Sequence, residues 1–517
     1  MAAKATPPKA TTAAGLYQSL HSARSPFLKK ARESAALTLP FLCPPEGAAA
    51  GADYSPPSQS VGARGVTNLA AKLLLALLPP NTPFFKLAVD PFELKKIAED
   101  EKLKTKLETA LSEIEQATLV EIETSATRVT ANEAFLNLVA TGNALLEVPD
   151  EGNLKVYRLD RYVVQRDPMG NVLMIIVHEQ IAPCMLDEDV QGRLGKDSDQ
   201  KTVDLYTVCK RSPNGKKWDV WQEVKDIRLE DSEGSYPEDK CPFIPLRFTK
   251  IDGEDYGRGF VETYLGDLGS LETLTQALVL GSVAAAKILF LVKPNGLTQA
   301  STLASANNGD FVAGDKEDVH CLQLDKFADL QVAAGQAEKI ERRLELGFLL
   351  LAGVQRQAER VTAEEVRALV QELETSLGGV YSVLAQDFQL PLANALMARM
   401  SRDKRLPTLP KKIVRPSVTT GIEALGRGND LQKLKLFIMD AAQTFGPEVV
   451  ARYVQPGEYF ARSAAALGIN TKGLVKTDEE IAEETAQQQQ QNQMQALAEK
   501  LGPSAIKAGA DQLQPSQ

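Results

Sequence analysis

VQRQAERVTAEEVRALVQELETSLGGVYSVLAQDFQLPL, from Val354 to Leu392, is a polar, arginine-bearing segment that runs into a long amphipathic helix. Thr362 stands where an N-cap belongs. Glu365 follows three residues later, which completes a capping box. Glu364 and Glu365 fall in the first turn, where carboxylates complement the helix dipole. Val366, Leu369, Val370, Leu373, Leu377, Val380, Leu384 and Phe388 then recur at three- and four-residue steps, one apolar stripe. A single helix from Ala363 to about Met400 would be about 57 Å long at about 1.5 Å per residue. Assemblies need struts of that length more often than enzymes do. Gly378 and Gly379 lie inside the stretch, where each costs about 1 kcal/mol relative to Ala. Close helix packing and a bend point both account for them, with Pro391 as a second kink.

The rest of the chain is ordinary in composition. Its 517 residues suffice for two to four domains with a well-buried core. Apolar residues make up 44% and charged residues 24%, the balance of a soluble globular protein. The net charge of −10 argues against a grip on nucleic acid through a basic face. It suits a surface past which a polyanion slides, because acidic walls repel phosphate. The five cysteines, Cys43, Cys184, Cys209, Cys241 and Cys321, have no CxxC spacing and read as free thiols of a reducing compartment. The opening MAAKATPPKATTAAG lacks the apolar core of a signal peptide. The most apolar run, Ala277 to Val292, contains Lys287 and is short for a membrane span, so a buried or interface helix is expected.

Periodicity then divides the chain. Residues 1–13 are expected to be disordered, and a helix is expected from Ala14 to about Leu37. A proline- and glycine-rich arm covers 38–64. A strongly apolar helix covers Gly65–Leu78, and a helix laced with Lys and Glu covers Pro91–Ser125. Period-two patterning predicts strands at Lys155–Leu159, Tyr162–Gln165 and Val172–Val177. A hairpin is expected from Val203–Cys209 and Trp218–Val224 around Ser212-Pro-Asn-Gly215. Helices are predicted from Thr263 to about Val292 and from Gln331 to Gly353. Between them lies an insert with short strands at Phe311-Val312 and Cys321–Leu324. A β segment is expected near Ile413–Thr420, then helices to about Leu467 and a Gln-rich tail. The fold class is α+β, helix-rich.

No catalytic constellation is legible. There is no GxxxxGK[ST], no HExxH and no GxSxG. Gly257-Arg-Gly259 and Gly426-Arg-Gly428 read as turn or helix-end glycines. His21, His178 and His320 are far apart in sequence and read as surface or core histidines rather than ligands. No metal, cofactor or catalytic residue is expected.

The opening stretch carries a family resemblance. VQRxxERVTAEEV followed by LGGVYSxLxQxxQLPL resembles the portal (head-to-tail connector) proteins of short-tailed double-stranded DNA bacteriophages. VGARGVTNLAAKLLLALLP (61–79), YRLDRYVVQRDPMGNVL (157–173), DGEDYGRGFVETYLGDLGSLETL (252–274) and TTGIEALGRGND (419–430) extend it, in the family's order, over about residues 14–475. The resemblance implies a portal fold with wing, stem, clip and crown regions, assembled as a ring around a central channel. It places a wing at 14–262, stem helices at 263–294 and 331–353, a clip at 295–330 and a tunnel loop at 354–361. The long tunnel helix and the remainder of the wing follow at 362–430, then a helical crown at 431–475 and a flexible tail at 476–517.

The implied function is a channel for DNA entry during packaging and exit during ejection, with the ring, of twelve subunits by the family pattern, set at one capsid vertex. Implied partners are the major capsid and scaffolding proteins, the large subunit of terminase (the packaging ATPase), tail adaptors, internal core proteins and DNA bound without sequence specificity, with no membrane. The protein would reside in the virion after assembly in the host bacterial cytoplasm. The resemblance makes Gln355, Arg356, Gln357 and Arg360 the residues nearest DNA. Pairing of Arg356 or Arg360 with Glu359 or Glu364 between subunits is the competing role. Lys339, Arg342 and Arg343 read as channel lining or intersubunit ion pairs. The alternatives are a scaffold or minor structural protein without a channel, and a nucleic-acid-processing enzyme.

Overall fold

The computed structural model describes residues 12–48, 51–80, 84–88, 101–194, 201–286, 289–322, 327–350, 363–406, 417–420 and 427–457, with 459, 460, 463 and 492. Helix α1, Ala13–Ala36, starts at Thr12, whose Oγ1 accepts the Gly15 N–H at 3.2 Å. Arg24 rivets α1 to the sheet. It is 2% exposed, and its guanidinium bonds the Tyr17 hydroxyl and the carbonyls of Leu159, Asp160 and Tyr162 at 2.8–3.1 Å. Helix α2, Val61–Leu77, begins four residues before the expected Gly65 and buries Val66, Leu69, Leu73 and Leu77 completely. Strand β1, Phe85–Ala88, precedes α3, Glu101–Thr124.

Helix α4, Thr127–Thr141, was not expected from periodicity. It is the centre of the core: Ala134, Phe135, Leu138, Val139 and Ala140 have no exposed surface. Its second half is buried on nearly every side while the apolar Val129 near its start is 74% exposed, so no single polar face stands out and the amphipathic signal is weak. Gly142 ends it at φ 81°, the left-handed C-terminal position. A Cβ there would lie 2.4 Å from the Gly259 nitrogen. The Asn143 side chain bonds both the N–H and the carbonyl of Gly257, at 2.7 and 2.8 Å. The Gly257–Gly259 pair therefore serves close backbone packing.

Two antiparallel sheets follow. Strands β2 (Asn143–Glu147), β3 (Lys155–Tyr157) and later β9 (Phe243–Arg247) pair in the order β3-β2-β9. Strands β4 (Tyr162–Arg166), β5 (Val172–Ile181), β6 (Val203–Arg211), β7 (Lys217–Val224) and β8 (Ile227–Pro237) form a meander in chain order. The expected β6–β7 hairpin forms, with Gly215 at φ 71°. Strand β8 escaped the sequence reading because its turn is Lys225-Asp226. Both residues take positive φ, 46° and 65°, without the usual Asn-Gly signature.

Helix α5 spans Leu265–Ala286, and the chain then becomes strand β10, Leu289–Val292, paired with β11, Val319–Leu322. The expectation of helix to Val292 is corrected here: Leu-Phe-Leu-Val suits a strand once a partner is available. Phe311-Val312 is not a strand, and Phe311 is fully exposed, with no strand beside it. Of the two expectations for Ala277 to Val292, a buried or an interface helix, burial within the chain does not hold, since Val279, Leu280 and Val283 are 55–69% exposed. Helix α6, Phe327–Gly347, returns along α5.

The single strut is corrected most. Helix α7 covers Ala363–Ser376, α8 covers Val380–Leu384, a π-helical turn covers Ala385–Gln389, and α9 covers Leu390–Arg402. Gly378 and Gly379 take φ of 61° and 86°, which breaks the helix. A Cβ on Gly378 would meet nothing within 4 Å, so close packing is not their reason. Pro391 cannot donate to the Asp387 carbonyl, and its ring would crowd that carbonyl in a regular helix. The π turn lies just ahead of it and relieves both conflicts. The apolar stripe survives the break: Val370, Leu373, Leu384, Phe388, Leu392 and Leu396 are each at most 1% exposed. Strand β12, Ser417–Thr420, pairs with β1, so a segment near the end of the fold closes onto one near its start. Helices α10, Arg427–Phe445, and α11, Pro447–Tyr453, complete the described chain.

Candidate nucleic-acid interface

Phe348 fixes the base of the α5–α6 pair. It is fully buried, with ring centroids 5.4 Å from both Phe260 and Tyr264. Glycines admit it: a Cβ on Gly65 would lie 2.5 Å from its ring, and one on Gly347 would lie 2.7 Å from Tyr264. Leu268, Leu271 and Leu344 complete the buried base. Burial falls along α5, and its second half carries the exposed Val279, Leu280 and Val283. The pair is thus an arm rooted at one end and apolar on its free surface.

The basic residues of α6 are exposed on this arm. Arg342 pairs with Glu338, one turn away, at 2.7 Å. Arg343 pairs with Asp267 of α5 at 2.8 Å. Both arginines are more than half exposed, so these pairs contribute little stability. Lys339 is exposed and makes no ion pair with the described residues. Within one chain, therefore, Arg342 and Arg343 are already partnered, and Lys339 is the cation left open to solvent.

Gln355, Arg356, Gln357, Glu359 and Arg360 lie outside the described residues, as do Thr362 and its expected cap. What holds the two flanks of that segment is visible. On α2, Asn68 donates to the carbonyls of Phe348 and Leu349, each at 3.2 Å. One turn on, the Lys72 ammonium bonds the Leu349 carbonyl and the Glu372 carboxylate of α7, both at 3.2 Å. Arg64, one turn earlier, reaches Glu345 at 3.5 Å. Leu349 itself has φ 54°, a turn out of the helical path. One polar edge of α2, at i, i+4 and i+8, therefore clamps the end of α6 and the body of α7. Sequence reading missed Asn68 and Lys72 because α2 looked merely apolar. Lysine at a helical position inside an apolar run was the available signal.

Downstream, Glu374 bridges the glycine break. Its carboxylate accepts the Ser382 hydroxyl at 2.6 Å and the Ser382 N–H at 3.2 Å. The π turn aims Asp387 at Lys250, 2.6 Å away, and Gln389 donates to the Leu77 carbonyl at 2.7 Å. Arg166 and Arg247 face the same carboxylate. Burial, then the neighbouring Arg247, hold the Arg166 guanidinium down to about 10 from its usual value.

Among the described residues no His, Cys, Asp and Glu cluster could hold a metal ion. His178 pairs with Asp204 at 2.9 Å and stacks on Tyr206, His320 lies in β11, and His21 flanks Tyr17.

A family profile described as bacteriophage head to tail connecting protein matches residues 10–475. The portal protein of Escherichia phage T7 is 40% identical over 99% of this chain and 98% of its own length. That of Enterobacteria phage T3 is 42% identical over 90% of this chain and 88% of its own. A solved chain from the virion of a native gene transfer agent particle covers 79% of this chain and 90% of its own. The two are 14% identical, with a TM-score of 0.34.

Proposed function

Because this chain belongs to the bacteriophage head-to-tail connecting protein family, a family of structural proteins and not enzymes, we propose that its copies close into a ring that forms a DNA channel at one vertex of the virion. The ring holds about twelve subunits by family likeness, and a heterologous contact closes into such a ring when its rotation divides the full turn. Double-stranded DNA enters through it during packaging and leaves through it during ejection. The terminase motor docks first and tail proteins afterwards, on the clip at 295–330. The wing occupies 14–262, the stem 263–294 and 331–353, and the crown 431–475.

The observation that carries this reading is the α5–α6 arm. Its exposed Val279, Leu280 and Val283 make no sense on an isolated soluble chain but suit burial on a neighbouring copy. By length and composition α5 would equally suit a membrane span. The Asp267–Arg343 ion pair along its flank favours a protein neighbour. Leu436, Phe437 and Met439 of α10, 64–66% exposed, extend the argument to a second contact zone.

The electrostatics fit passage rather than grip. About twelve copies at −10 each give a formal charge of about −120, screened beyond about 10 Å at 0.1 M salt. Arg356 and Arg360, repeated around the axis, supply a narrow positive girdle that attracts phosphate without reading bases. Lys339 is a second candidate lining residue. The test has two parts. Particle imaging shows closed rings with a hole about as wide as a DNA duplex. Rings of Arg356→Ala with Arg360→Ala then assemble normally but package or retain DNA poorly. Monomers, or a double variant that cannot assemble, defeat the reading: the first removes the channel, the second makes these arginines subunit glue.

A further inference from the structure

Two of the five cysteines meet across the join of the two sheets. The Sγ atoms of Cys209 and Cys241 are 3.8 Å apart, although 32 residues separate them in sequence. Cys209 lies in β6 between Ile175 of β5 and Val220 of β7 and is 1% exposed. Cys241 lies in the link between β8 and β9, next to Pro242, whose carbonyl accepts the Val148 N–H at 2.8 Å. The five-stranded and three-stranded sheets thus touch at these two sulfurs. Trp218, Phe243 and Tyr256 pack in the same buried cluster. The other thiols are placed differently: Cys184 and Cys321 are exposed, and Cys43 is buried without a sulfur neighbour.

We propose that Cys209 and Cys241 are a disulfide-forming pair, a modification site at which a peroxide staples the two sheets together. A disulfide needs the sulfurs at about 2.05 Å, so they must close by less than 2 Å, within reach of side-chain rotation. The part-exposed Cys241 meets the oxidant first. Its sulfur attacks one oxygen of hydrogen peroxide and becomes a sulfenic acid as one water leaves. The Cys209 sulfur then attacks the Cys241 sulfur, and the displaced hydroxide leaves with the Cys209 proton as a second water. Two thiols lose two electrons, and one peroxide is reduced to two waters. Burial pushes the Cys209 thiol well up, which keeps it from reacting first. The bond would close a loop containing β7 and β8 and constrain the unfolded chain.

The experiment uses the assembled full-length protein, treated with hydrogen peroxide, alkylated under denaturing conditions and digested without reductant. The expected result is one linked peptide pair, Cys209 to Cys241, with a mass lower by about 2 Da than the two thiol peptides. The apparent melting temperature should rise by about 5 °C. Cys241→Ser should lose both effects, and Cys209→Ala, as a second variant, should leave Cys241 as an unresolved sulfenic acid that a 1,3-dicarbonyl probe such as dimedone captures. Recovery of Cys209 and Cys241 as alkylated thiols after oxidation overturns the proposal. So does a link from either one to Cys184, to Cys321 or to another subunit.

Discussion

Replacing Gly378 and Gly379 together by alanine pits backbone strain against helix propensity. Both residues hold positive φ, 61° and 86°, and an L-residue there costs about 1–2 kcal/mol. The bent form should therefore lose about 2–4 kcal/mol in the double variant. A straight helix would gain about 1 kcal/mol at each site from the same change. The total push towards straightening is then about 4–6 kcal/mol. Opposing it are Tyr381, Leu384, Phe388, Leu392 and Leu396, all 0–1% exposed beyond the break. Burial stabilises each by about 1.5–3 kcal/mol, a total of about 8–15 kcal/mol that straightening would put at risk. The Glu374–Ser382 bridge and the Phe135–Phe388 edge contact, at 5.0 Å between centroids, add to it. Burial wins, so the bend persists under strain. The variant should unfold at a lower denaturant concentration, with faster hydrogen exchange across 363–402 and unchanged helical circular dichroism. A variant of equal or greater stability with increased helix content would refute the reasoning and restore the single strut.

Other expectations follow from the same contacts. Phe348→Ala should cost about 3–5 kcal/mol, because Phe260, Tyr264 and Gly65 close around that ring; denaturant titration and exchange in α5 and α6 report it, and a loss under about 1 kcal/mol would contradict the placement. Lys72→Met keeps the apolar stem but removes the bonds to Leu349 and Glu372, so stability should fall by about 1–2 kcal/mol, with exchange in α7 rising; Lys72→Arg should restore most of it. Burial pushes the Cys43 thiol up to about 12 from 9.0. The folded chain thus keeps a proton that the unfolded chain releases, and stability should fall as pH rises from about 9 towards 12. At pH 8.5, iodoacetamide should modify the exposed Cys184 and Cys321 and spare Cys43 until denaturant is added; equal rates for the three would be inconsistent with the buried site.

Where a signal is local, the sequence announced it. The β6–β7 hairpin follows from Pro-Asn-Gly at its turn, and α1 ends within one residue of expectation. Both depend on residues adjacent in the chain, whose backbone preferences act without tertiary help. Helix α4 was invisible because apolar residues fall on all its sides, Val129 exposed among them, and β8 because Lys225 and Asp226 adopt a turn that neither residue favours. The site was half legible. Lys339, Arg342 and Arg343 were identified as one charged group, but α2's Asn68 and Lys72 gain their meaning only when α6 and α7 are brought to them.

By itself, the sequence determined the family, the absence of a recognisable catalytic motif, the apolar stripe from Leu369 to Phe388 and the candidate arginines. Only the tertiary structure decided that the stripe bends. Two glycines permit a straight helix and a break alike, since their cost in either is about 1 kcal/mol or less. The choice falls to what lies beyond them: Phe388 against Phe135, Gln389 on the end of α2, and Asp387 facing Lys250. Those partners sit over 130 residues away along the chain, at a distance where local periodicity carries no information and burial sets the path.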